Sequence, residues 1–257
     1  MPFSWRSIGA AMFAGFTALG CSQSFKVNRY TTNEDLFRAA VRKFNRRKWD
    51  NAIAGFEKLT LELPARDTLL PRSHYYLARA HGRKREHLLA AQSYTRLAES
   101  FPDDSLADDA LLEAARSYQR LWRRPDLDAE YGQTALNTYR TFLALYETSP
   151  LKNQAEQGIR RLEEWFATKD YDTGMHYYRR KAYDSAIIYF KDVVDKYAST
   201  ARKREAQLRL VDSYRAIRYR EDANEVCTAL RQQYPNDREV RETCGPGAAT
   251  VAQPTPP

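Results

Sequence analysis

One spacing recurs five times along the chain and restricts the fold more than any other feature. An alanine is followed by apolar side chains at steps of four, three and four residues. The copies are Ala52-Phe56-Leu59-Leu63, Ala90-Tyr94-Leu97-Phe101, Ala135-Tyr139-Phe142-Tyr146, Ala186-Phe190-Val193-Tyr197 and Ala223-Cys227-Leu230-Tyr234. These steps return to one face of a helix with 3.6 residues per turn, whereas a strand would alternate at two. Pro64, Pro102 and Pro235 directly follow three of the copies, and Glu147 and Ala198 stand at that place in the others. Proline ends a helix because it has no amide hydrogen and its ring clashes with the preceding turn. The small alanine lets a partner helix approach closely, and the residue four later fills the gap between the two.

A second amphipathic stretch precedes each copy, over residues 33–48, 72–85, 105–122, 170–181 and 201–217. Small and aromatic residues share its packing face, as with Gly174 and Tyr177 or Ala115 and Tyr118. Each pair of stretches therefore reads as a helical hairpin and resembles the tetratricopeptide motif, whose period is about 34 residues. The anchor alanines step by 38, 45, 51 and 37 residues. The two longer steps locate insertions: the polar turn region Arg123-Arg124-Pro125-Asp126, and an additional helix over 153–168. The resemblance implies an all-α, tetratricopeptide-type superhelix (an α-solenoid) of about five repeats. They span about 33–66, 70–104, 105–150, 167–199 and 200–236, inside a body of 33–241. A lone hairpin cannot bury its apolar face, so stability comes from stacking neighbours, and the first helices line a concave groove.

The two ends read differently. Arg6 precedes an uncharged apolar run, Ile8 to Leu19, and then Gly20 and Cys21. A basic start, a short apolar core and a small residue at the cut form an export signal, here residues 1–20. Twelve helical residues span about 18 Å, too little for a bilayer core of roughly 30 Å. Ala18-Leu19-Gly20-Cys21 resembles a lipobox, with Ala18 where leucine is usual. That resemblance implies a diacylglycerated thiol, cleavage before Cys21 and an acylated new amino group. Several acyl chains, such as palmitate, anchor a protein stably where one does not. An ordinary cleaved signal and an uncleaved anchor with an incidental cysteine are the other readings. Residues 21–32 read as the lipidated cysteine and a flexible spacer. Residues 242–257 read as a disordered Gly/Pro-rich tail, since Gly245 to Pro257 has too few bulky apolar residues to fold.

The formal charge of +8, from 41 basic and 33 acidic residues, is mixed along every segment and suits anionic partners without choosing among them. Nucleic acid is set aside by the export signal. Hydrolase, phosphate-loop and metalloprotease motifs are missing from the sequence, so no catalytic residue, cofactor or metal ligand is assigned. His74 and His81 lie seven residues apart, about 10.5 Å along a helix, too far to share an ion. They read, with His87, as core or surface histidines, and His176 has no partner in sequence. Cys227 occupies the slot filled by a ring in the other four copies and reads as a small buried hydrophobe. The alternative is a disulfide to Cys244, closing a loop of 16 intervening residues. Exposed tyrosines in the groove, among 17 in the chain, suit extended peptide, while most at repeat positions read as core.

Residues Tyr177 to Phe190 (YYRRKAYDSAIIYF) resemble the fourth-repeat signature of the BamD family of outer-membrane protein assembly lipoproteins. Phe142 to Pro150 (FLALYETSP) resembles the family's third-repeat ending, with Glu147 where proline is preferred. Arg83-Lys84-Arg85-Glu86-His87 departs from the expected short turn. The order of lipidated cysteine, spacer, five repeats and short tail matches as well. The resemblance implies a non-enzymatic scaffold on the periplasmic face of the outer membrane, and Ser22 is compatible with sorting there. Its implied partners are the barrel-assembly protein, other assembly lipoproteins, unfolded outer-membrane protein precursors and, through its lipid, the membrane. The runner-up is another repeat lipoprotein, or a periplasmic coordinator, serving pilus secretin assembly or cell-wall division. Replacing Cys21 by serine is expected to abolish palmitate labelling and membrane fractionation in cells. A Cys21→Ser chain that keeps both would rule out the lipobox.

Overall fold

The computed structural model describes residues 25–245, which form eleven α-helices and one 3-10 turn, Val27–Arg29, with no strand among them. α1 (Asn33–Asn45) and α2 (Trp49–Glu62) make the first hairpin, and α3 (Leu69–Arg83) and α4 (His87–Ser100) the second. α5 (Ala107–Leu121) and α6 (Glu130–Leu145) make the third, and α7 (Lys152–Arg179) and α8 (Tyr183–Lys196) the fourth. α9 (Arg202–Ala216) and α10 (Arg220–Gln233) make the fifth, and α11 (Arg238–Cys244) covers its end. Every helix packs on the next, while α1 also meets α3, α5 meets α7, and α7 meets α9. The first helices thus form one layer and the second helices another. The protein is an all-α tetratricopeptide-type solenoid.

The recurring pattern is the core. Its five alanines are at most 2% exposed, its second residues (Phe56, Tyr94, Tyr139, Phe190 and Cys227) at most 5%, and its third residues fully buried. Local signals set the ends. The Thr32 hydroxyl accepts the Asp35 amide (3.2 Å) and starts α1, and the Asp237 carboxylate accepts the Val240 amide (3.1 Å) and starts α11. Such caps satisfy amides that have no partner within the helix. The turns inside four hairpins each hold one residue in the left-handed region: Arg47 (φ 58°), Arg85 (φ 65°), Lys181 (φ 62°) and Arg218 (φ 66°). A side chain there costs of order 1 kcal/mol relative to glycine.

Three expectations are corrected. The additional helix over 153–168 and the helix over 170–181 are one 28-residue helix, α7, about 42 Å long. Thr168-Lys169-Asp170 supplies no break: no proline intervenes, and the Thr168 and Thr173 hydroxyls return to the Glu164 and Lys169 carbonyls. Ala155, Gly158 and Leu162 of α7 face the third hairpin, and Gly174 faces the fourth, so one helix closes one repeat and opens the next. The second correction concerns the spacer, 21–32. Phe25, Val27 and Tyr30 pack on the first hairpin, with the Lys43 ammonium 5.2 Å from the Phe25 ring. Third, the body does not stop at 241, because α11 runs through Cys244.

Several contacts dock α11. Val240 is fully buried. Cys244 is disulfide-bonded to Cys227 with a Cα–Cα distance of 5.4 Å. The Arg204 guanidinium forks onto Asp237 (2.8 and 2.7 Å) and reaches Glu239 (2.9 Å). Hydrogen bonding from Arg204 holds the Asp237 carboxyl at about 2, below the usual carboxylate range. Arg215 and Arg231 donate to the Thr243 and Cys244 carbonyls.

Two outcomes follow for stability. A Cβ on Gly174 would sit 2.6 Å from the Phe190 ring, so Gly174→Ala is expected to destabilise by about 1–3 kcal/mol. A change below about 0.5 kcal/mol in urea unfolding would contradict this seating. Cys244→Ser reopens a loop of 17 residues and is expected to lower stability by about 3 kcal/mol, read in the same assay under non-reducing conditions.

Candidate binding groove

The inner layer between α3, α5 and the first half of α7 holds two adjoining cavities, of about 530 and 520 Å³. The spacing of side chains on these helices explains their chemistry. On α5, Arg116 and Arg120 are one turn apart, and Trp122 and Arg123 follow at its end. On α7, Gln154, Gln157, Arg161 and Trp165 recur at steps of three and four. Both stripes point into the first cavity, between Tyr139 of α6 and His87 of α4. Tyr75, Arg79, Arg83, Asp109 and Glu113 line the second, and Arg120 and His87 border both.

Hydrogen bonds within and between repeats hold the walls. Tyr75 donates to Asp109, Tyr139 donates to Gln119 (2.8 Å), and Arg116 spans from Glu113 (2.6 Å) to Gln154 (2.6 Å). Burial, reinforced by Asp109, pushes the Tyr75 hydroxyl well above its ordinary range, and burial pushes Tyr139 up to about 12. Both remain neutral donors. The Arg79 guanidinium lies over Phe44, Tyr75 and Tyr76 at 5.2, 5.6 and 5.5 Å, an arrangement that fixes its plane while leaving its edge free.

Charge and hydrogen-bonding capacity are unbalanced. Among the described residues Arg79, Arg83, Arg123 and Arg161 make no ion pair, and Arg120 approaches Glu113 only to 3.9 Å. The Trp122 side chain is 1% exposed and packs on Phe166 (4.6 Å) and Trp165 (5.5 Å). Its indole N–H has no acceptor, and His87 Nδ1 is likewise buried without a partner. Burial, and then the charges of Arg120, Arg123 and Arg85, lower the His87 pKa and keep its ring neutral. Guanidinium groups without carboxylate partners in an open cleft mark places for acceptors. The cleft suits carboxylates and peptide carbonyls, with tyrosine and tryptophan faces for apolar side chains.

Cys21 lies outside the described residues. Cys227 and Cys244 are at the far end from the groove. His74 and His81 face α4 in a smaller cavity; burial and then Arg96 lower His74 to about 4, and His81 Nδ1 lies 2.7 Å from Glu86. Of the paired tyrosines, Tyr75 lines the groove, whereas Tyr76 stacks on Phe56 at 5.4 Å and belongs to the core. Sequence reading does not single out Trp122 or the arginines of α5 and α7, and it gives His87 no role beyond core or surface. The i, i+4 spacing of Arg116 with Arg120, and of Gln157 with Arg161 and Trp165, carries a signal. It is shared with any solvated helix face.

Residues 29–230 match the family YfiO, described as outer membrane lipoprotein. Among curated proteins the chain is similar to the outer membrane protein assembly factor BamD of Caulobacter vibrioides. Identity is 23% over 233 residues, 89% of this chain and 76% of that protein. Among solved structures it is similar to the TPR domain of P58(IPK), with 14% identity and a TM-score of 0.44. That alignment covers 82% of this chain and 54% of the other, so the chain spans about half its length. It is also similar to a thermophilic TPR protein of Thermus thermophilus, with 18% identity and a TM-score of 0.36, covering 83% of this chain and 97% of the other. With the family match running across four-fifths of the sequence and through all five hairpins, the chain belongs to the YfiO family of outer membrane lipoproteins.

Proposed function

We propose that this protein is a non-enzymatic scaffold of outer-membrane β-barrel assembly, tethered to the periplasmic face of the outer membrane through acylated Cys21. In this reading residues 1–20 are the export signal. The groove between α3, α5 and α7 receives extended segments of unfolded barrel precursors, and the repeats from α8 onward dock the barrel-assembly protein. Family membership and the likeness to an assembly factor support the setting. The observation that carries the groove assignment is the set of guanidinium groups lining it, Arg79, Arg83, Arg123 and Arg161, that make no ion pair among the described residues. An extended strand segment offers what that cleft lacks. Its carbonyls and terminal carboxylate are acceptors, and its alternating apolar side chains fit the aromatic walls.

Two of the four tryptophans, Trp122 and Trp165, line the groove, so intrinsic fluorescence reports its occupation. A peptide of about ten residues, the length of one barrel strand, taken from the last strand of an outer-membrane barrel, is expected to change that fluorescence saturably. The double variant Arg120→Glu/Arg161→Glu should bind it at least about tenfold more weakly, about 1.4 kcal/mol, with an unchanged melting temperature. Full affinity in the double variant would remove the groove from the mechanism. Affinity purification of the intact chain from membranes is expected to recover the barrel-assembly protein. Recovery of a secretin in its place would move the protein to the runner-up role.

A further inference from the structure

The solenoid has two long edges, and their charge differs. Consecutive helices run antiparallel, so the turns inside the hairpins line one edge and the turns between hairpins line the other. Ten arginines and lysines and three acids fall in the five turns of the first edge. One arginine and five acids fall in the five turns of the second. All ten cations are solvent-exposed, from Arg46-Arg47-Lys48 at the first hairpin, through Lys84-Arg85, Arg123-Arg124 and Arg180-Lys181, to Arg218 at the last. Lys84 already binds Glu86 (2.7 Å) and Asp50 (2.7 Å), and Arg124 binds Asp126 (3.2 Å). Helical residues beside the edge add both signs, Arg83, Arg120, Arg179 and Arg220 against Asp50, Glu130, Asp184, Glu221 and Asp222, and leave the excess standing.

Backbone geometry sharpens the asymmetry. In four of these turns a cation occupies the left-handed position that glycine or asparagine would fill without strain. Each such side chain is exposed, sits where a basic residue is conformationally disfavoured, and makes no ion pair among the described residues. The chain's entry lies near the same edge. Phe25 packs against the first hairpin beneath the Lys43 ammonium, toward the end of α1 that leads into Arg46. Cys21 is four residues upstream, within about 14 Å of extended chain, while Arg46 is three helical residues from Lys43, about 4.5 Å along the axis.

We infer that this basic edge, from Arg46 to Arg218, is a docking surface for anionic phospholipid headgroups, on which the solenoid lies lengthwise beside its own lipid anchor. The inference rests on the Cys21 anchor proposed above. An acyl chain and a polybasic surface are complementary signals, and each cation near an anionic leaflet adds to the binding within a Debye length. A solenoid held by its edge presents the layer of first helices, and so the groove, sideways to the periplasm rather than against the bilayer.

The test uses the full mature chain in unacylated form (Cys21→Ser), sedimented with vesicles of phosphatidylethanolamine and phosphatidylglycerol or of phosphatidylcholine alone. Binding to the phosphatidylglycerol vesicles is expected, weakening as salt rises from about 50 to 300 mM, with none to phosphatidylcholine. The variant Arg47→Gly/Arg85→Gly/Lys181→Gly/Arg218→Gly removes four charges where glycine relieves strain, so it folds at least as stably. It should bind at least about tenfold more weakly, whereas Asp103→Asn/Asp104→Asn on the opposite edge should not weaken binding. Equal binding by the glycine variant, or binding indifferent to phosphatidylglycerol, overturns the inference, as does capture of an acidic protein by this edge with no vesicle binding. Palmitate labelling of the wild-type chain in cells is read separately. Labelling without vesicle binding rejects the edge alone, and vesicle binding without labelling rejects the anchor alone.

Discussion

Two aromatic rings seated on two glycines of one helix hold the solenoid together. Tyr139 of α6 lies over Gly158, and Phe190 of α8 lies over Gly174, and both glycines belong to α7. Sixteen residues separate them, about 24 Å of helix. A hydrogen in place of a side chain lets each ring approach the backbone directly, which buries a large apolar area at little conformational cost. Because α7 packs on the third hairpin with one end and on the fourth with the other, the orientation of the two halves of the rod is set by a single rigid element. A hinge at residues 168–170 would have left that orientation to a loop.

The same helix builds the groove. Its first half enters the inner layer as an extra first helix, and the polar stripe Gln154, Gln157, Arg161 faces Arg116 and Arg120 of α5. The apolar stripe of α7 must point into the stack, so the remaining face is free to be cationic. Concave surfaces of repeat proteins arise in this way: the core consumes one face of every helix and leaves a continuous second face for recognition. Here that face combines unpaired guanidinium groups, neutral tyrosine hydroxyls and a buried indole donor. This combination suits a chain with exposed carbonyls better than a compact apolar ligand.

Much of the fold was legible because the repeat is self-consistent. Ala52, Ala90, Ala135, Ala186 and Ala223 with their 4-3-4 partners are the buried positions, and a helix of that register has only one way to hide them. The site was less so. Arg116, Arg120, Arg161 and Trp165 resemble any exposed helical stripe until α5 and α7 stand side by side. Trp122 reads as the last residue of a helix, yet it turns inward to pack on Phe166, more than forty residues away. The spacer reading failed at Phe25 and Tyr30 because two isolated aromatics carry no periodicity to reveal a packing face. The extra helix failed for a related reason. Propensity marks where a helix is favoured, and nothing in Thr168-Lys169-Asp170 marks where one must stop.

By itself the sequence determined the five helical hairpins and the buried face of their second helices, because amphipathic periodicity is encoded within four residues and needs no distant partner. It also carried the family, in the segments around Tyr177 to Phe190. Tertiary structure alone decided what stands opposite what. Tyr75 meets Asp109 and Arg116 meets Gln154, separated by 34 and 38 residues, close to one repeat, because stacking turns a sequence interval into adjacency. It also decided that Cys227, in a core slot where the other copies place a ring, pairs with Cys244. That pairing required α11 to fold back onto the last hairpin, where Arg204, Arg215 and Arg231 hold it. The alignment of ten exposed cations along one edge is of the same kind. Each turn taken alone is an ordinary polar connection, and only the antiparallel stacking of helices places all five on one side of the molecule.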